Sequence, residues 1–306
     1  MVEVVAAVIE RADGAFLLAQ RPAGKVYAGW WEFPGGKVDD GETTLLALSR
    51  ELHEELGIEV RLAYPWITRV FVYPHATVRL NFFRVVEWTG EPHPQEEQAI
   101  RWQRIDRPMA EPMLPANAPV LRSLALPLEY AITDAQALGE DEMLARIERR
   151  LSTGLRLVQV RDKALRGRAD FARSVVTLAR RHGAKVLVNG DERTARSLGA
   201  AGVHWSAMTL DHAQSRPADM LCGASCHTAA ELERAVALEC DFAVLGPLRD
   251  TTTHPGGATL GWDGFARIAR GAPIPVFAIG GLRPTDLDEA RCSGAHGLAM
   301  IRGSWS

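Results

Sequence analysis

Residues 35–58 read GGKVDDGETTLLALSRELHEELGI, and the spacing of side chains in this stretch decides how the first third of the chain folds. Leu45, Leu48, Leu52 and Leu56 recur at three- and four-residue intervals, which predicts the apolar side of a helix from about Thr44 to Leu56. Gly57 ends it, because glycine takes the left-handed conformation that closes many helices. Glu51, Glu54 and Glu55 then share one angular sector. Three neighbouring carboxylates repel one another unless a cation offsets the repulsion, and an all-oxygen donor set suits Mg²⁺ or Mn²⁺. A solvated acidic face would use the same residue types, so the flanks decide between the two. Gly35 and Gly36 precede the helix, and Glu42 and Arg50 complete the longer pattern G-x5-E-x7-R-E-U-x-E-E-x-G-U, with U a bulky apolar residue. Counted from Gly36, every fixed position is filled.

Working outward, VEVVAAVIE and GAFLLAQR read as two short strands joined through Ala12-Asp13-Gly14, which predicts a hairpin. Apolar runs at Trp66–Val72 and Thr77–Val86 supply further strands. One helix inserted among strands predicts an α/β/α sandwich with a mixed sheet. The stretch MAEPMLPANAPVLRSLALP, Met109 to Pro127, holds four prolines and marks a domain junction, with NAPVLRSL as a last short helix. The expected domains are residues 1–126 and 127–306.

The second part alternates strand-like and helical runs. Strands are expected at Leu128–Thr133, Leu155–Val160, Lys185–Asn189, Gly202–Trp205, Met220–Gly223, Phe242–Leu245, Val276–Ile279 and Gly297–Ile301. Helical patterns at Ala169–His182, Thr228–Leu238, Trp262–Arg270 and Pro284–Ser293 separate some of them. That order fits parallel strands with right-handed crossovers, and eight of them predict a compact TIM (β/α)8 barrel.

With 306 residues, 47% hydrophobic and 24% charged, the chain has the composition of folded protein rather than a disordered scaffold. Its 35 basic and 38 acidic side chains give a net charge of -3, which argues against a broad grip on polymeric nucleic acid. The apolar start is too short to span a membrane and lacks a secretory pattern, so no membrane partner and a cytoplasmic location are expected. Cys222, Cys226, Cys240 and Cys292 are read as reduced thiols, since their spacing does not complete a structural zinc signature.

The filled pattern around the carboxylate helix resembles the Nudix hydrolases. Within them the chain looks most like the MutT type, the 8-oxo-dGTP diphosphatases of nucleotide-pool sanitation, which act beside DNA replication and DNA repair. The resemblance extends through QRPAGKVYAGWWEFPGGK, GEPHPQEEQAIRW and LPANAPV. It implies Mg²⁺, with Mn²⁺ as a substitute, held by Glu51, Glu54, Glu55, the more distant Glu96 and Gly35, and a catalytic group of Glu51, Glu54, Glu55 and Arg50. Glu42 and Gly36 would support the loop, while Arg21, Phe33 and Asn117 would bind the nucleotide. Asn117 could instead cap the helix that follows it. The implied reaction is attack of water on a nucleoside triphosphate to give a monophosphate and pyrophosphate. Alternatives are a Nudix hydrolase for another substrate, such as a thiamine-related pyrophosphate, and a phosphate-ligand binding or structural fusion protein.

From about Pro127 to Trp305 the chain resembles thiamine-phosphate synthase and TenI-like proteins, through LEYAITD, LVQVRDK, KVLVNG, GVHW, GASCHT, DFAVLGPLRDTTTHPG, FAIGGL and GLAMIRG. By that resemblance Gln159, Arg161, Lys163, Asn189, Ser225, Thr251, Thr253, Gly280 and Gly281 would line a site for a phosphate or thiazole ligand. Gly190 stands where the synthases carry a magnesium-binding aspartate, Ser206-Ala207 replaces polar residues, and His254 replaces a lysine. These departures argue against retained synthase activity unless Asp162, Asp191 or Asp250 compensates.

Overall fold

The computed structural model describes residues 1–74, 76–95, 98–162, 168–250 and 257–305. Two compact units emerge: Met1–Ala125 with Gly271–Pro273, and Leu126–Arg270 with Ile274–Ser306. In the first, the chain order is β1 (Val2–Ile9), β2 (Phe16–Gln20), β3 (Trp31–Glu32), α1 (Thr44–Leu56), β4 (Glu59–Tyr73), β5 (Ala76–Thr89), β6 (Ile100–Gln103) and α2 (Asn117–Leu124). A mixed sheet places β5 between β1, to which it is parallel, and β4, to which it is antiparallel. A second, antiparallel sheet has β2 between β3 and β6.

Alternation along β1 explains the layers, since successive side chains of a strand point to opposite faces. Val5, Ala7 and Ile9 pack with Leu48, Leu52 and Leu56 of α1, while Ala6 and Val8 join Phe82, Phe33 and Val120 of α2 on the other face. Burying each leucine contributes about 1.5–3 kcal/mol relative to leaving it exposed. Leu45 departs from expectation: it shares the angular sector but sits in the exposed first turn of α1, half accessible, and Ala47 is buried near that end instead.

The expected hairpin of β1 and β2 does not form. Its turn is present, with Arg11 N–H bonded to Ala15 O at 2.8 Å and Ala15 N–H to Asp13 Oδ1 at 3.0 Å. Beyond a single bridge between Glu10 and Phe16 the strands part into different sheets. The reason is competition for the edge of β1. One edge pairs with β5, and on the other Val5 N–H donates to Gly36 O at 2.9 Å and Ala7 N–H to Pro34 O at 2.8 Å. The glycine loop thus takes the place that β2 was expected to fill.

The second unit contains β7 (Glu129–Ile132), α3 (Ala135–Leu138), α4 (Glu140–Ser152), β8 (Leu157–Val160), α5 (Arg168–Arg181), β9 (Lys185–Asn189), α6 (Glu192–Leu198) and β10 (Gly202–Trp205). It continues with α7 (Ala207–His212), β11 (Leu221–Cys226), α8 (Ala229–Ala237), β12 (Phe242–Leu245), α9 (Gly261–Ala269), β13 (Val276–Ile279), α10 (Leu287–Cys292) and β14 (Gly297–Met300). The eight strands pair in parallel in chain order, and β14 returns to β7 to close the barrel. Tyr130, Leu157, Leu187, Phe242, Val244, Phe277 and Ala299 form one buried cluster among these strands. No described helix is long and apolar enough to cross a membrane.

Candidate active site

The carboxylates of α1 are set by its two ends. Thr43 Oγ1 accepts Leu46 N–H at 3.3 Å to start the helix, and Gly57, at φ 67°, donates to His53 O and Leu52 O to stop it. Between these caps Arg50 gathers the acidic residues. Its Nε and Nη2 donate to the two oxygens of Glu42 at 3.1 and 2.9 Å, and its Nη1 to Glu51 at 2.9 Å and Glu54 at 3.3 Å. A further bond from Nη2 to Lys37 O at 3.0 Å ties this fork to the glycine loop. The hydrogen bond from Arg50 holds the Glu42 carboxyl below its ordinary range.

Glu55 faces the other side of the loop. Its Oε2 accepts Gly35 N–H at 3.1 Å, yet burial pushes its carboxyl up to about 7, with the nearby negative charges of Glu32 and Glu51 adding to the rise. At both glycines a side chain would meet atoms already in place. A Cβ on Gly36 would overlap the Glu51 carboxylate, and one on Gly35 would overlap Val5 O at a backbone φ of 142°.

The buried Glu55 beside the Arg50-bound Glu51 and Glu54 makes an all-oxygen donor set whose chemistry fits a hard divalent cation. Among the described residues no group of three or more His, Cys, Asp and Glu side chains is gathered to hold a metal. Glu51 and Glu54 are instead turned to Arg50, and Glu55 to Gly35. Glu96 lies outside the described residues, although Gln95 N–H and Gln98 Nε2 on either side both donate to Glu55 O at 3.0 Å.

Arg21 is drawn to a carboxylate that the sequence reading did not single out. Its Nη1 lies 2.6 and 2.7 Å from the two oxygens of Glu32, and its Nε donates to Val26 O at 2.7 Å. Burial raises the Glu32 carboxyl above its ordinary range even against the pull of Arg21. The signal for Glu32 was its position between Trp31 and Phe33, which belong to the α2-side core; alternation sends Glu32 the other way. Phe33 packs against Phe16 and Phe82, each at 5.9 Å between ring centroids.

Asn117 is buried and is not a cap. It is the first residue of α2, and its Nδ2 lies 3.4 Å from both Trp31 O and Met113 Sδ. Arg101 lies over the Trp31 ring at 5.3 Å, whereas Trp102 stacks with Trp88 beneath Arg11.

In the barrel, a cavity of about 940 Å³ brings together Gln159, Arg161, Asn189, Ser225, Gly280 and Gly281. Lys163, Thr251 and Thr253 lie outside the described residues, as does His254. Gly190, at the synthase aspartate position, has φ 156°, a backbone that disfavours any side chain. Two of the three aspartates considered as replacements are engaged elsewhere. Asp162 accepts from Thr133 Oγ1 and Gln136 N–H, and Asp191 caps α6 through Thr194 N–H at 2.8 Å. Cys222, Cys226 and Cys240 are buried free thiols, and Cys292 is an exposed one.

Comparison with known proteins accords with this division. Residues 2–124 match the NUDIX domain, and residues 129–303 match thiamine monophosphate synthase. The CTP pyrophosphohydrolase of Escherichia coli is 42% identical over 123 residues, spanning 40% of this chain and 90% of that protein. The 8-oxo-dGTP diphosphatase of Haemophilus influenzae is 40% identical over 124 residues, spanning 40% of this chain and 91% of that protein. The thiamine-phosphate synthase of Thermosynechococcus vestitus is 38% identical over 167 residues, 53% of this chain and 48% of that protein, so the match covers about half its length. An intact carboxylate loop and helix in one unit and a closed parallel barrel in the other thus agree with sequence likeness, and the chain belongs to the Nudix family through its first unit and to the thiamine monophosphate synthase family through its second.

Proposed function

We propose that the first unit is a Mg²⁺-dependent nucleoside triphosphate pyrophosphohydrolase that converts 8-oxo-dGTP and water to 8-oxo-dGMP and pyrophosphate. The observation that carries the hydrolase reading is the single guanidinium of Arg50 holding Glu42, Glu51 and Glu54 in one array beside the buried Glu55. Glu51, Glu54, Glu55 and Glu96, with the Gly35 carbonyl, would hold the cation, which when bound supplies charge neutralisation for the diphosphate and activation of the attacking water. Glu51 and Glu55 stand as candidates to take the proton of the attacking water, and the cation would favour the ionised form of the buried Glu55 carboxyl. Arg21 offers Nη2, which makes no hydrogen bond among the described residues, to a substrate phosphate.

The purine assignment is supported by Asn117. Its amide is buried, is not used as a helix cap, and makes only long bonds to its neighbours, so it is free to exchange them for donor and acceptor positions of a base. The likeness to a CTP pyrophosphohydrolase favours a pyrimidine as the second reading. Initial rates on 8-oxo-dGTP, dGTP, CTP and thiamine diphosphate, with Mg²⁺ and with chelator, decide between them. The expected order puts 8-oxo-dGTP first by kcat/KM; a preference for CTP or thiamine diphosphate would replace the purine reading.

A further inference from the structure

Two of the buried cysteines in the barrel face each other. Cys222 is the second residue of β11, Cys240 lies in the turn between α8 and β12, and their Sγ atoms are 3.9 Å apart. Backbone bonds hold them there. Asp241 N–H donates to Cys222 O at 2.8 Å, Asp241 Oδ2 accepts Cys222 N–H at 2.8 Å, and Cys240 N–H donates to Ala235 O at 2.9 Å. Glu239, at φ 54°, makes the turn that delivers Cys240 from α8. Arg216 Nη1 lies 3.1 Å from the same Asp241 Oδ2 and offsets that carboxylate's charge beside the sulfurs. The pair sits where β11 and β12 begin, whereas Ser225 and His227, at the far end of β11, line the cavity.

A buried cysteine ordinarily serves as a small apolar side chain. Cys226 shows that state on the same strand: burial pushes its thiol up to about 12, and its Sγ lies 4.0 Å from Ala224 O. Cys222 and Cys240 differ in that each has the other's sulfur as its partner. The bond between them lowers the Cys240 thiol from its ordinary value and raises the Cys222 thiol from its own, with burial opposing the first effect and adding to the second. Cys240 is thereby the sulfur that ionises first, which is what a nucleophile requires. Burial of both sulfurs selects against a bulky oxidant such as a protein disulfide and favours a small uncharged one.

We propose that Cys222 and Cys240 form a redox-active dithiol in the barrel, which a hydroperoxide, hydrogen peroxide being the smallest, converts to an intramolecular disulfide. The Cys240 thiolate attacks one peroxide oxygen: an S–O bond forms, the O–O bond breaks, and the departing hydroxide takes up the proton released by Cys240 and leaves as water. The Cys222 sulfur then attacks the sulfenic sulfur: the S–S bond forms, the S–O bond breaks, and hydroxide leaves with the Cys222 proton as a second water. Both thiols are oxidised and one peroxide is reduced to two waters. A disulfide needs about 2 Å between its sulfurs, so the remaining approach falls to rotation of the two side chains, the backbone bonds staying in place. The proposal rests on the barrel alone and is independent of the hydrolase reading of the first unit.

Peroxide treatment of the full chain carrying Cys292→Ser, which removes the exposed thiol, tests the pair. The treated chain is denatured, alkylated with iodoacetamide, digested and weighed by mass spectrometry. The expected product joins the Cys222 and Cys240 peptides and is about 2 Da lighter than their sum, with Cys226 alkylated and dithiothreitol returning both thiols to alkylation. Full alkylation of Cys222 and Cys240 after peroxide overturns the proposal, as does oxidation of either to sulfinic or sulfonic acid without the cross-link. A mixture that also joins Cys226 marks oxidation of unfolded chain and overturns it too. Cys222→Ser should stop Cys240 at the sulfenic acid, captured by dimedone, and Cys240→Ser should leave Cys222 without an adduct; the reverse pattern overturns Cys240 as the attacking sulfur. Should either serine variant fail to fold, the cross-link in the chain that keeps both cysteines decides.

Discussion

Replacing Glu55 by glutamine should make the metal-free first unit more stable while removing its activity. Glu55 is a carboxyl with an ordinary value of 4.5 that burial pushes to about 7. A difference of that size corresponds to about 3 kcal/mol between folded and unfolded states by proton linkage. The sign follows from which state ionises first. Below the unfolded value both states hold the proton and the two proteins should be equally stable. As pH rises from 4.5 towards 7 the unfolded chain ionises while the folded one keeps its proton, so the wild type loses stability; above 7 the whole difference is present. Glutamine never ionises, and its amide oxygen still accepts the Gly35 N–H that Glu55 Oε2 accepts at 3.1 Å. The variant should therefore match wild type near about pH 4 and exceed it by about 2–3 kcal/mol near about pH 8. Hydrogen exchange of the α1 amides in EDTA gives the measurement for this unit alone. Mg²⁺ should then stabilise the wild type and not the variant at the higher pH, because the cation binds the ionised carboxylate. A stability difference that does not grow between these pH values refutes the desolvated carboxylate.

Gly36→Ala should lower turnover at least tenfold with little loss of stability, because the added Cβ displaces the flexible end of Glu51 rather than backbone; kcat and melting temperature together check it. Arg50→Lys should lower kcat and destabilise by about 1 kcal/mol, since one ammonium cannot hold Glu42, Glu51 and Glu54 together as the guanidinium does. Asn117→Ala should cost about 1–3 kcal/mol in kcat/KM for 8-oxo-dGTP and much less for CTP. Its contacts at 3.4 Å are long, so its melting temperature should barely change. Equal loss on both substrates together with a lower melting temperature would make Asn117 a packing residue.

The residues that announced themselves did so through local rules. Helix α1 runs from Thr44 to Leu56 and closes on Gly57, because apolar period, cap and left-handed glycine all depend on neighbours within a turn. Lys185–Asn189, Gly202–Trp205 and Phe242–Leu245 coincide with their strands for a similar reason: buried parallel strands are short continuous apolar runs. Helix α4 follows the same local rule, with Met143, Ile147 and Leu151 spaced four apart and buried beneath a charged surface. The two-residue β3 and the four-residue β6 were not legible, since such short segments acquire strand geometry from tertiary pairing, both with β2 and, for Trp31 of β3, also with Met113. The hairpin expectation failed on the same ground: the residues 34–38 that claim the edge of β1 lie beyond any window containing the turn.

The site divides along that line as well. Spacing put Glu51, Glu54 and Glu55 in one sector, but not the difference between them. The structure separates Glu54, whose side chain is 58% exposed, from Glu51 at 16%, and both bond to Arg50. Glu55 is instead turned to Gly35, where burial and the charges of Glu32 and Glu51 act on it together. Glu32 comes from a strand nineteen residues earlier than Glu51 in the sequence, so its influence is a product of tertiary packing. Burial that raises Glu55 opposes ionisation, whereas a cation would favour it, so the same desolvation that costs stability in the empty loop makes the carboxylate responsive to metal. That opposition is why the pH dependence of stability, with and without Mg²⁺, tests the arrangement more directly than loss of turnover, which any damage to the loop would produce.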